Sequence, residues 1–446
     1  MLKRVGGPGT KEARIPIGRA AFPKPFIGQL EYNPPVHENW NIVHTGMLLP
    51  GSHQIYVCPD NCMRGVIMTA DEMDAGNRFS CVLLTEKDVD RGKIDETTIE
   101  GVTHCIQELP KRPEAVLVFL VCLHHFMGVD TKRIFDILER RFPEICFLPC
   151  WMDPIMQKTG ITPEQKERKA MLKPIKALEE ESMVSVFGDN LPLSDESDIA
   201  RLVKDSGYTL RQIQDCQTYQ DYCQMGHARV LITRSFFGVW GLKQKAREMG
   251  RTMLYLPSSF SYAEIRRELD DLCQALGVED IPEEVLKKEE ASCEQALSEL
   301  KEEIGDTEIA IDVLGHPRPL GLARLLLSHG MRVTCVYLDA ISLEEEEDYH
   351  WLKENHPELI LNSIIHVSMR KKEMREQSQQ KVLAVGPKAA YYQDTPYYVN
   401  MIEGDGDWGY QGIRHLTKMM REAYRKPKDL KSIVPRKGLG CACVLQ

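Results

Sequence analysis

Three cysteines stand directly behind apolar stretches that are typical of buried strands. Cys58 and Cys62 follow residues 54–57, and Cys122 follows residues 115–121. Open α/β sheets bind their ligands in loops at the carboxyl ends of parallel strands. Because neighbouring parallel strands end at the same edge, we expect these sulfur atoms to approach one another there.

Cys81, in the predicted strand of residues 80–84, brings the number of sulfur atoms near that edge to four. Four thiolates satisfy a zinc ion, whereas thiolates at a boundary between subunits favour an iron–sulfur cluster. The three-residue gap between Cys58 and Cys62 also suits one turn of a helix without any metal. From the residues alone, a metal site and ordinary packing both stay open.

Most of the other cysteines are predicted to pack as small hydrophobic side chains. The chain has 14 cysteines, and in a reducing compartment they are not expected to form a disulfide framework. Several stand singly in helical or strand-like surroundings, where a free thiol behaves as a small hydrophobe. These are Cys105, Cys216, Cys273, Cys293 and Cys335.

The composition excludes several classes of partner. Lys and Arg number 56 against 66 Asp and Glu, a net charge of −10, so the chain lacks a basic footprint for nucleic-acid phosphates. The longest apolar runs, such as residues 115–121, are far shorter than the roughly 20 residues that cross a membrane. The first ten residues contain no apolar signal segment. We predict a cytoplasmic protein with no nucleic acid and no membrane as a partner.

The sequence lacks the motifs of several common enzyme classes. It has no G-x-x-x-x-G-K-[ST] phosphate loop. Gly404, Gly406 and Gly409 have the G-x-G-x-x-G spacing, but they follow a strand late in the last predicted domain and are interpreted as a turn. No G-x-S-x-G elbow and no H-E-x-x-H pair is present either. P-loop ATPases, Rossmann dehydrogenases, serine hydrolases and zincins are therefore disfavoured.

Short β-rich stretches alternate with helical patterns over most of the chain. The predicted strands cover residues 54–57, 80–84, 115–121, 183–187, 228–232, 252–256, 308–314, 332–337, 359–361, 381–385 and 398–401. Apolar residues at helical spacing predict helices within residues 132–141, 196–206, 241–249, 262–276 and 320–329. This alternation is typical of parallel sheets covered by helices on both faces. The predicted fold class is α/β, with three doubly wound, Rossmann-like domains.

A chain of 446 residues is too long for one core, since cores stop growing near ~250–300 residues. A charged stretch, residues 162–182, is interpreted as an exposed helix between two domains. The predicted division is an N-terminal lead (1–30), a first α/β domain that binds the ligand (31–182), a second α/β domain with a linking helix (183–305), a third α/β domain (306–425) and a flexible tail (426–446).

Six short segments occur in an order that is fairly specific for one protein family. They are residues 57–62, 80–92, 118–130, 186–190, 316–319 and 409–412. The first three contain the cysteines described above, together with Glu86 and Gly92. Taken together, the segments resemble the nitrogenase component 1 family, and the resemblance extends over most of the chain. It agrees with the three-domain α/β architecture that the strand and helix pattern predicts.

The resemblance implies an iron–sulfur cluster, of the 4Fe-4S type or larger, that is bound between two homologous subunits. It also implies two partners. One is a separate ATP-hydrolysing iron protein that delivers electrons, and the other is a second component 1-type subunit in a homo- or heteromeric dimer or tetramer. The missing phosphate loop agrees with this division of labour, because the iron protein carries the ATPase.

The cluster ligands of the family transfer to this sequence residue by residue. Cys62 falls on the second of three cluster cysteines and Cys122 on the third. No cysteine precedes Cys58, so the resemblance leaves either His37 or Cys58 itself to fill the first position. His37 is equally compatible with an ordinary loop histidine that follows two prolines.

Two positions depart from the nitrogenase subunit that anchors the large iron–molybdenum cofactor. The anchoring cysteine and histidine of that subunit fall approximately on Arg234 and Trp408, so reduction of dinitrogen is not expected. Arg234 is a catalytic candidate that could bind an anionic substrate, or else it forms a salt bridge at a domain interface. His125 is a second catalytic candidate, as a ligand or proton carrier beside Cys122. Because adjacent loop residues rarely both point into one site, at most one of His124 and His125 is expected to act there.

The resemblance therefore predicts an oxidoreductase. The chain would be a nitrogenase-like reductase subunit that passes electrons from the iron protein through its cluster to a small or cyclic organic substrate. One alternative is a scaffold that holds a metallocofactor during its assembly without turnover. Another is a non-catalytic partner of a cluster-bearing paralogue.

Overall fold

The structure is a computed structural model that describes residues 13–26, 41–153, 160–370 and 381–430. The strands within these ranges are β1 (Arg14–Pro16), β2 (Ser52–Cys58), β3 (Phe79–Leu83), β4 (Ala115–Val121), β5 (Cys146–Met152), β6 (Glu181–Val186), β7 (Thr209–Gln212), β8 (Ala228–Thr233), β9 (Thr252–Tyr255), β10 (Glu308–Asp312), β11 (Arg332–Tyr337), β12 (Ile360–Asn362), β13 (Val382–Val385) and β14 (Tyr398–Val399).

The α-helices in the same ranges connect these strands. They are α1 (Ile42–Met47), α2 (Asp60–Glu72), α3 (Glu86–Asp90), α4 (Ile94–Glu108), α5 (Cys122–Phe126), α6 (Thr131–Arg141), α7 (Pro163–Met171), α8 (Asp198–Asp205), α9 (Tyr219–Gln224), α10 (Phe236–Met249), α11 (Tyr262–Leu276), α12 (Glu283–Ile304), α13 (Pro319–Ser328), α14 (Glu346–Asn355), α15 (Pro387–Gln393) and α16 (Gly409–Arg425). None of these described helices is both long and apolar enough to cross a membrane.

The first sheet has the order β3-β2-β4-β5, with every neighbouring pair parallel. Its central strands β2 and β4 are buried along their whole length, as expected for a sheet that helices cover on both faces. Tyr56 and Phe119 are partners in register on these strands, and their ring centroids stack 4.2 Å apart. This buried centre fixes the positions at which β2 and β4 end.

The second sheet repeats the same arrangement, with the order β7-β6-β8-β9 and only parallel pairs. The third sheet has the order β1-β12-β11-β10-β13-β14. Its pairs are parallel except for β1, which runs antiparallel to β12 at one edge. The predicted α/β class with parallel sheets is confirmed.

In each sheet the first strand of its parallel series lies inside the sheet, with later strands on both sides of it. These inner strands are β2, β6 and β10. The direction of strand order reverses there, and such a reversal opens a crevice at the carboxyl ends of the strands where α/β proteins bind ligands. The ends of β2 and β4, and those of β6 and β8, are therefore the expected positions of ligand sites in the first two sheets.

The described residues group into two compact units. One contains the first and second sheets and spans residues 41–153, 160–192 and 203–257. The other contains the third sheet and spans residues 13–26, 193–202, 258–370 and 381–430. The domain boundaries drawn from the sequence remain a prediction.

Some elements differ from the sequence-based prediction. β5 was not predicted because Pro149 stands in the middle of the strand. Proline is tolerated there because β5 is an edge strand. The predicted exposed helix over residues 162–182 is wrong, because α7 ends at Met171 and much of it is buried. The charge of Arg168 is satisfied internally, by Glu164 at 2.8 Å and by the carbonyl oxygen of Gly188. A charged segment can therefore pack inward when its partners lie in the fold.

Candidate functional site

The carboxyl edge of the first sheet brings the predicted sulfur ligands into one region. β2 ends at Cys58, and α2 begins two residues later with Cys62 in its first turn. β4, the parallel neighbour of β2, ends at Val121, and Cys122 begins α5 immediately. Both helices therefore start at the reversal of strand order in this sheet, which is the expected place for a ligand.

Cys62 is the exposed member of this group. Pro59 precedes α2 as its N-cap residue, and proline suits the start of a helix because the first N–H groups have no intrahelical acceptor. The Cys62 N–H donates to the carbonyl oxygen of Pro59 at 3.0 Å. The short Pro-Asp-Asn segment thus turns the chain from strand to helix and presents the thiol to solvent at the sheet edge.

Cys122 is half-buried at the start of α5. Burial raises the pKa of its thiol, and the negative charges of Asp153 and Cys62 raise that pKa further. Cys62 and Cys122 follow the ends of β2 and β4, which are neighbouring parallel strands. A positively charged metal centre at this edge would reverse the effect and stabilise both thiolates.

Cys58 differs from the other two because it is the last residue of β2 and not part of the loop. Its side chain has no exposed surface and belongs to the apolar core of its unit. Burial raises the pKa of its thiol to about 12, with Cys81 and Cys62 adding to the shift. Because the thiolate is the form that binds metals, Cys58 is the weakest of the three sulfur candidates.

Two adjacent histidines follow Cys122, and they differ in their exposure to solvent. The ring of His124 is buried between the Val121 N–H and the Thr98 hydroxyl, and burial lowers its pKa to about 4. His125 is half-exposed, and its Nδ1 lies 3.1 Å from Oδ2 of Asp153, which follows β5. Of the two histidines, His125 is the one that a reaction at this edge can use.

Large apolar side chains are exposed on the elements that leave this edge. Phe126 is 66% exposed, and Leu83 and Met68 are each 51% exposed, with Met127 and Ile67 close behind. Phe126 stands one helical turn after Cys122, and Leu83 is the register partner of Cys58. Exposed apolar residues that together form a large patch are typical of surfaces that another molecule covers.

The corresponding edge of the second sheet carries Arg234 directly after β8. Its Nε lies 3.6 Å from Oδ1 of Asp189, and each side chain is 9% exposed. Its Nη2 also donates to the carbonyl oxygen of Leu191 at 3.1 Å. The arginine thus forms a salt bridge within one compact unit.

Trp408, at the second cofactor-anchoring position, is the N-cap residue of α16 and is only 1% exposed. Its indole fills space in the interior of its unit, where it lines a small cavity together with His316, Asp407 and Ser258. An indole ring also offers no lone pair for a metal. Neither Arg234 nor Trp408 therefore provides a ligand for a large metallocofactor.

Within the described ranges, no three His, Cys, Asp or Glu side chains are grouped to hold a metal ion. His37, the predicted first ligand, lies outside the described residues. Cys62 and Cys122 supply two sulfur donors after neighbouring strand ends, and iron–sulfur clusters take thiolate ligands. The donor set therefore fits a cluster that receives its further ligands from another chain or from beyond the described residues.

Sequence reasoning overlooked two carboxylates of these edges. Asp153 hydrogen-bonds to His125, but it follows β5, a strand that was not predicted because it contains Pro149. Asp189 pairs with Arg234 and lies in the segment Val186-Phe-Gly-Asp-Asn190, whose position after a predicted strand was a usable signal.

Comparison with known proteins finds similarity over most of the chain. A family model described as "Nitrogenase component 1 type Oxidoreductase" matches residues 47–424. The solved structure "Nitrogenase Cp1 at pH 6.5" is 10% identical with a TM-score of 0.65, covering 90% of this chain and 94% of that chain. "Nitrogenase Cp1 at pH 5" is 14% identical with a TM-score of 0.56, covering 90% of each chain. At these identities the structures show a shared fold. No curated protein matches the sequence.

Proposed function

The chain belongs to the nitrogenase component 1 type oxidoreductase family, and on that basis we propose that it is a nitrogenase-like reductase subunit. It binds an iron–sulfur cluster, of the 4Fe-4S type or larger, and receives electrons from an ATP-hydrolysing iron protein. It then passes them to a small or cyclic organic substrate.

One observation carries this proposal: Cys62 and Cys122 lie in the first turns of the helices that follow two neighbouring strands at the reversal of strand order in the first sheet, amid exposed apolar side chains. Thiols that serve only as packing are buried, as Cys150 and Cys273 are. Cys62 is exposed instead, where a cluster between two chains can reach it.

The apolar residues of the same edge support a second component 1-type subunit as the partner. Phe126, Leu83 and Met68 are each more than half exposed, and covering such side chains stabilises an assembly by about 25 cal/mol for each Å² of apolar surface buried. A partner seated here would enclose the cluster and supply its remaining ligands. This partner is either a second copy of the chain, which gives a homomer, or a different component 1-type chain, which gives a heteromer.

The residues have separate roles in this proposal. Cys62 and Cys122 hold the cluster, with Cys58 or His37 as the further ligand from this chain. The cluster, when bound, accepts and releases single electrons. His125, oriented by Asp153, carries protons at the cluster edge. Arg234 attracts an anionic substrate at the edge of the second sheet, in competition with its partner Asp189.

Dinitrogen is not the proposed substrate. The two family positions that anchor the iron–molybdenum cofactor carry a paired arginine and a buried tryptophan here. The same observation favours a second candidate function, a scaffold that holds a metallocofactor loosely during its assembly and then releases it.

The proposal is tested by purifying the full chain anaerobically with its coexpressed partner and measuring iron content and the EPR spectrum. We expect iron to be bound, and we expect Cys62→Ala and Cys122→Ala to lose it. Cys105→Ala, a change of a half-buried cysteine elsewhere, is the matched control and should keep it. A colourless protein whose iron content does not depend on Cys62 would refute the proposal.

Turnover separates the reductase from its alternatives. A reductase consumes electrons catalytically when the iron protein and ATP are supplied, whereas a scaffold transfers its iron to an acceptor protein in a single round. Iron that is found only in the mixed complex, and that survives Cys62→Ala together with Cys122→Ala, identifies a non-catalytic partner of a cluster-bearing paralogue.

A further inference from the structure

The two ring nitrogens of His125 have different surroundings. Nδ1 lies 3.1 Å from Oδ2 of Asp153, a side chain that is only 3% exposed, whereas the His125 side chain is 52% exposed. A carboxylate only accepts hydrogen bonds, so Nδ1 carries the proton of this contact. The neutral ring then keeps its lone pair on Nε2, to which no group in the described ranges hydrogen-bonds. His125 thus presents one nitrogen donor that is available to a ligand.

Trp151 fixes the plane of the same ring. The indole and imidazole centroids lie 4.9 Å apart, with 27° between the ring planes. Trp151 stands on β5 opposite Leu120 of β4, two residues before Asp153. One strand end therefore holds the imidazole both on its face and at Nδ1, and Nε2 is left on the side of the ring away from Asp153.

The nearest candidate ligand in the sequence lies on the same short helix. α5 begins at Cys122, and His125 follows three residues later, so the two side chains lie on one face of the helix. A cysteine and a histidine two residues apart in this way match the close ligand spacing of protein metal sites. Histidines that bind a metal usually donate their other ring N–H to a carboxylate, as His125 does to Asp153.

We propose that His125 is a ligand of the iron–sulfur cluster and binds it through Nε2 beside Cys122, with Asp153 and Trp151 as positioning residues. This inference rests on the proposed function and names the further ligand that the chain provides, in place of the fully buried Cys58. Nδ1 keeps its proton against Asp153, so the same ring can bind through one nitrogen and carry a proton on the other. Histidine in place of cysteine is known among iron–sulfur centres, where it raises the reduction potential.

The test uses the full chain, purified anaerobically with its coexpressed partner and reduced with dithionite. Pulsed EPR of protein with natural histidine is compared with that of protein grown on ¹⁵N-histidine. We expect a nitrogen hyperfine coupling to the cluster that changes from ¹⁴N to ¹⁵N on labelling. Bound iron without a histidine coupling would overturn this inference and leave the proposed function standing, whereas an iron-free protein would refute both.

Variants identify which histidine supplies the coupling. His125→Cys replaces the imidazole by a thiol, so it should keep the iron, lose the coupling and lower the reduction potential. His37→Ala and His104→Ala, the latter a change of an exposed histidine on α4, should keep the coupling. A coupling that survives in His125→Cys overturns the inference. Its loss in His37→Ala does so too, even if His125→Cys fails to fold.

The role of Asp153 is tested in the same spectrum. An asparagine at this position can donate to Nδ1, which places the ring proton on Nε2 and removes the lone pair that binds iron. Asp153→Asn should therefore lose the nitrogen coupling while Cys62 and Cys122 still retain iron. Asp136→Asn, a change of an exposed carboxylate on α6, is the matched control and should keep the coupling. An unchanged coupling in Asp153→Asn would overturn the positioning role of Asp153.

Discussion

Arg234 and Asp189 form a buried ion pair between the ends of two neighbouring parallel strands. The guanidinium Nε lies 3.6 Å from the carboxylate Oδ1, and the Arg234 backbone N–H donates to Oδ2 at 3.4 Å. Burial raises the pKa of Asp189, and the charge of Arg234 opposes that rise. The pair therefore holds a carboxylate in the interior that would otherwise be costly to ionise.

Removal of Arg234 should destabilise the protein. Arg234→Ala leaves Asp189 buried without its opposite charge, and the loss of one partner of a buried pair costs about 3–5 kcal/mol. Urea unfolding followed by circular dichroism measures the change. Arg229→Ala is the matched control, because Arg229 is half-exposed and faces Glu180 at 3.8 Å, so its removal should cost less than about 1 kcal/mol.

The cost of Arg234→Ala should also depend on pH. A carboxyl whose pKa is higher in the folded state than in the unfolded state stabilises the protein at low pH. This stabilisation is lost as the pH rises above the unfolded Asp pKa of about 3.9. Without Arg234 the pKa of Asp189 rises further, so the variant should be less damaged at pH 5 than at pH 8. Asp189→Asn in the same chain should restore most of the stability. An Arg234→Ala protein of wild-type stability that no longer reduces substrate would instead show that the arginine serves the reaction.

The sequence predicts best the strands that are buried on both faces. β4, which is buried along its whole length, has the predicted bounds because it is a continuous run of apolar residues. β11 also has the predicted bounds, although it begins at the exposed Arg332. Cys122 directly follows the end of β4, and Cys62 follows β2, whose end was predicted within one residue. The pairing of His125 with Asp153 does not follow from the strand ends, since it joins residues 28 positions apart whose neighbouring strand carries a proline.

Buried carboxylates were the least predictable feature. Glu167 has no exposed surface, although it lies in a segment rich in charged residues. Glu345 is 1% exposed in the acidic run that precedes α14. Local sequence suggests a solvated face in both cases, and only tertiary contacts, such as the backbone N–H groups that Glu345 binds, determine which acid turns inward.

The sulfur candidates should differ in their effect on iron binding. Cys58 is fully buried, and burial raises the pKa of its thiol to about 12, whereas Cys62 is exposed. We expect Cys62→Ala to lose most of the iron and Cys58→Ala to retain most of it. Cys58→Ala should instead lower the free energy of unfolding by about 1 kcal/mol, through the loss of a buried sulfur atom. Iron analysis and urea unfolding of both variants provide the comparison, and equal loss of iron from both would make Cys58 a ligand.

Stability should fall as the pH rises from about 5 to 8, because two buried glutamates hold protons in the folded state. Burial raises the pKa of Glu345 and of Glu268 to about 8. Glu345 accepts hydrogen bonds from the N–H groups of Leu320 and Gly321, at 2.7 and 3.0 Å, but these oppose the shift only in part. Between the unfolded glutamate pKa of about 4.3 and the folded pKa of about 8, each of these glutamates binds a proton in the folded state that it does not bind in the unfolded state. Each group then removes about 1.4 kcal/mol of stability per pH unit.

This prediction is checked by urea unfolding at several pH values. Glu345→Gln and Glu268→Gln should each flatten the decline with pH. Glu347→Gln, which changes a 79% exposed side chain paired with Arg324, should leave the decline unchanged. A pH slope that is the same in all three variants would show that neither buried glutamate keeps its proton.

Gly226 should tolerate no side chain. It stands in the turn before β8, where an added Cβ would lie 2.1 Å from the carbonyl oxygen of Lys176, and its own carbonyl oxygen accepts the Leu178 N–H at 3.2 Å. Because the obstructing atom belongs to the backbone, Gly226→Ala should separate these two segments and cost about 1–3 kcal/mol or more. Gly65→Ala is the control, since α2 leaves that position open within 4 Å and alanine in a helix should add about 0.5–1 kcal/mol. Urea unfolding of both variants measures their free energies of unfolding. A Gly226→Ala protein as stable as the wild type would show that Lys176 lies farther from this turn.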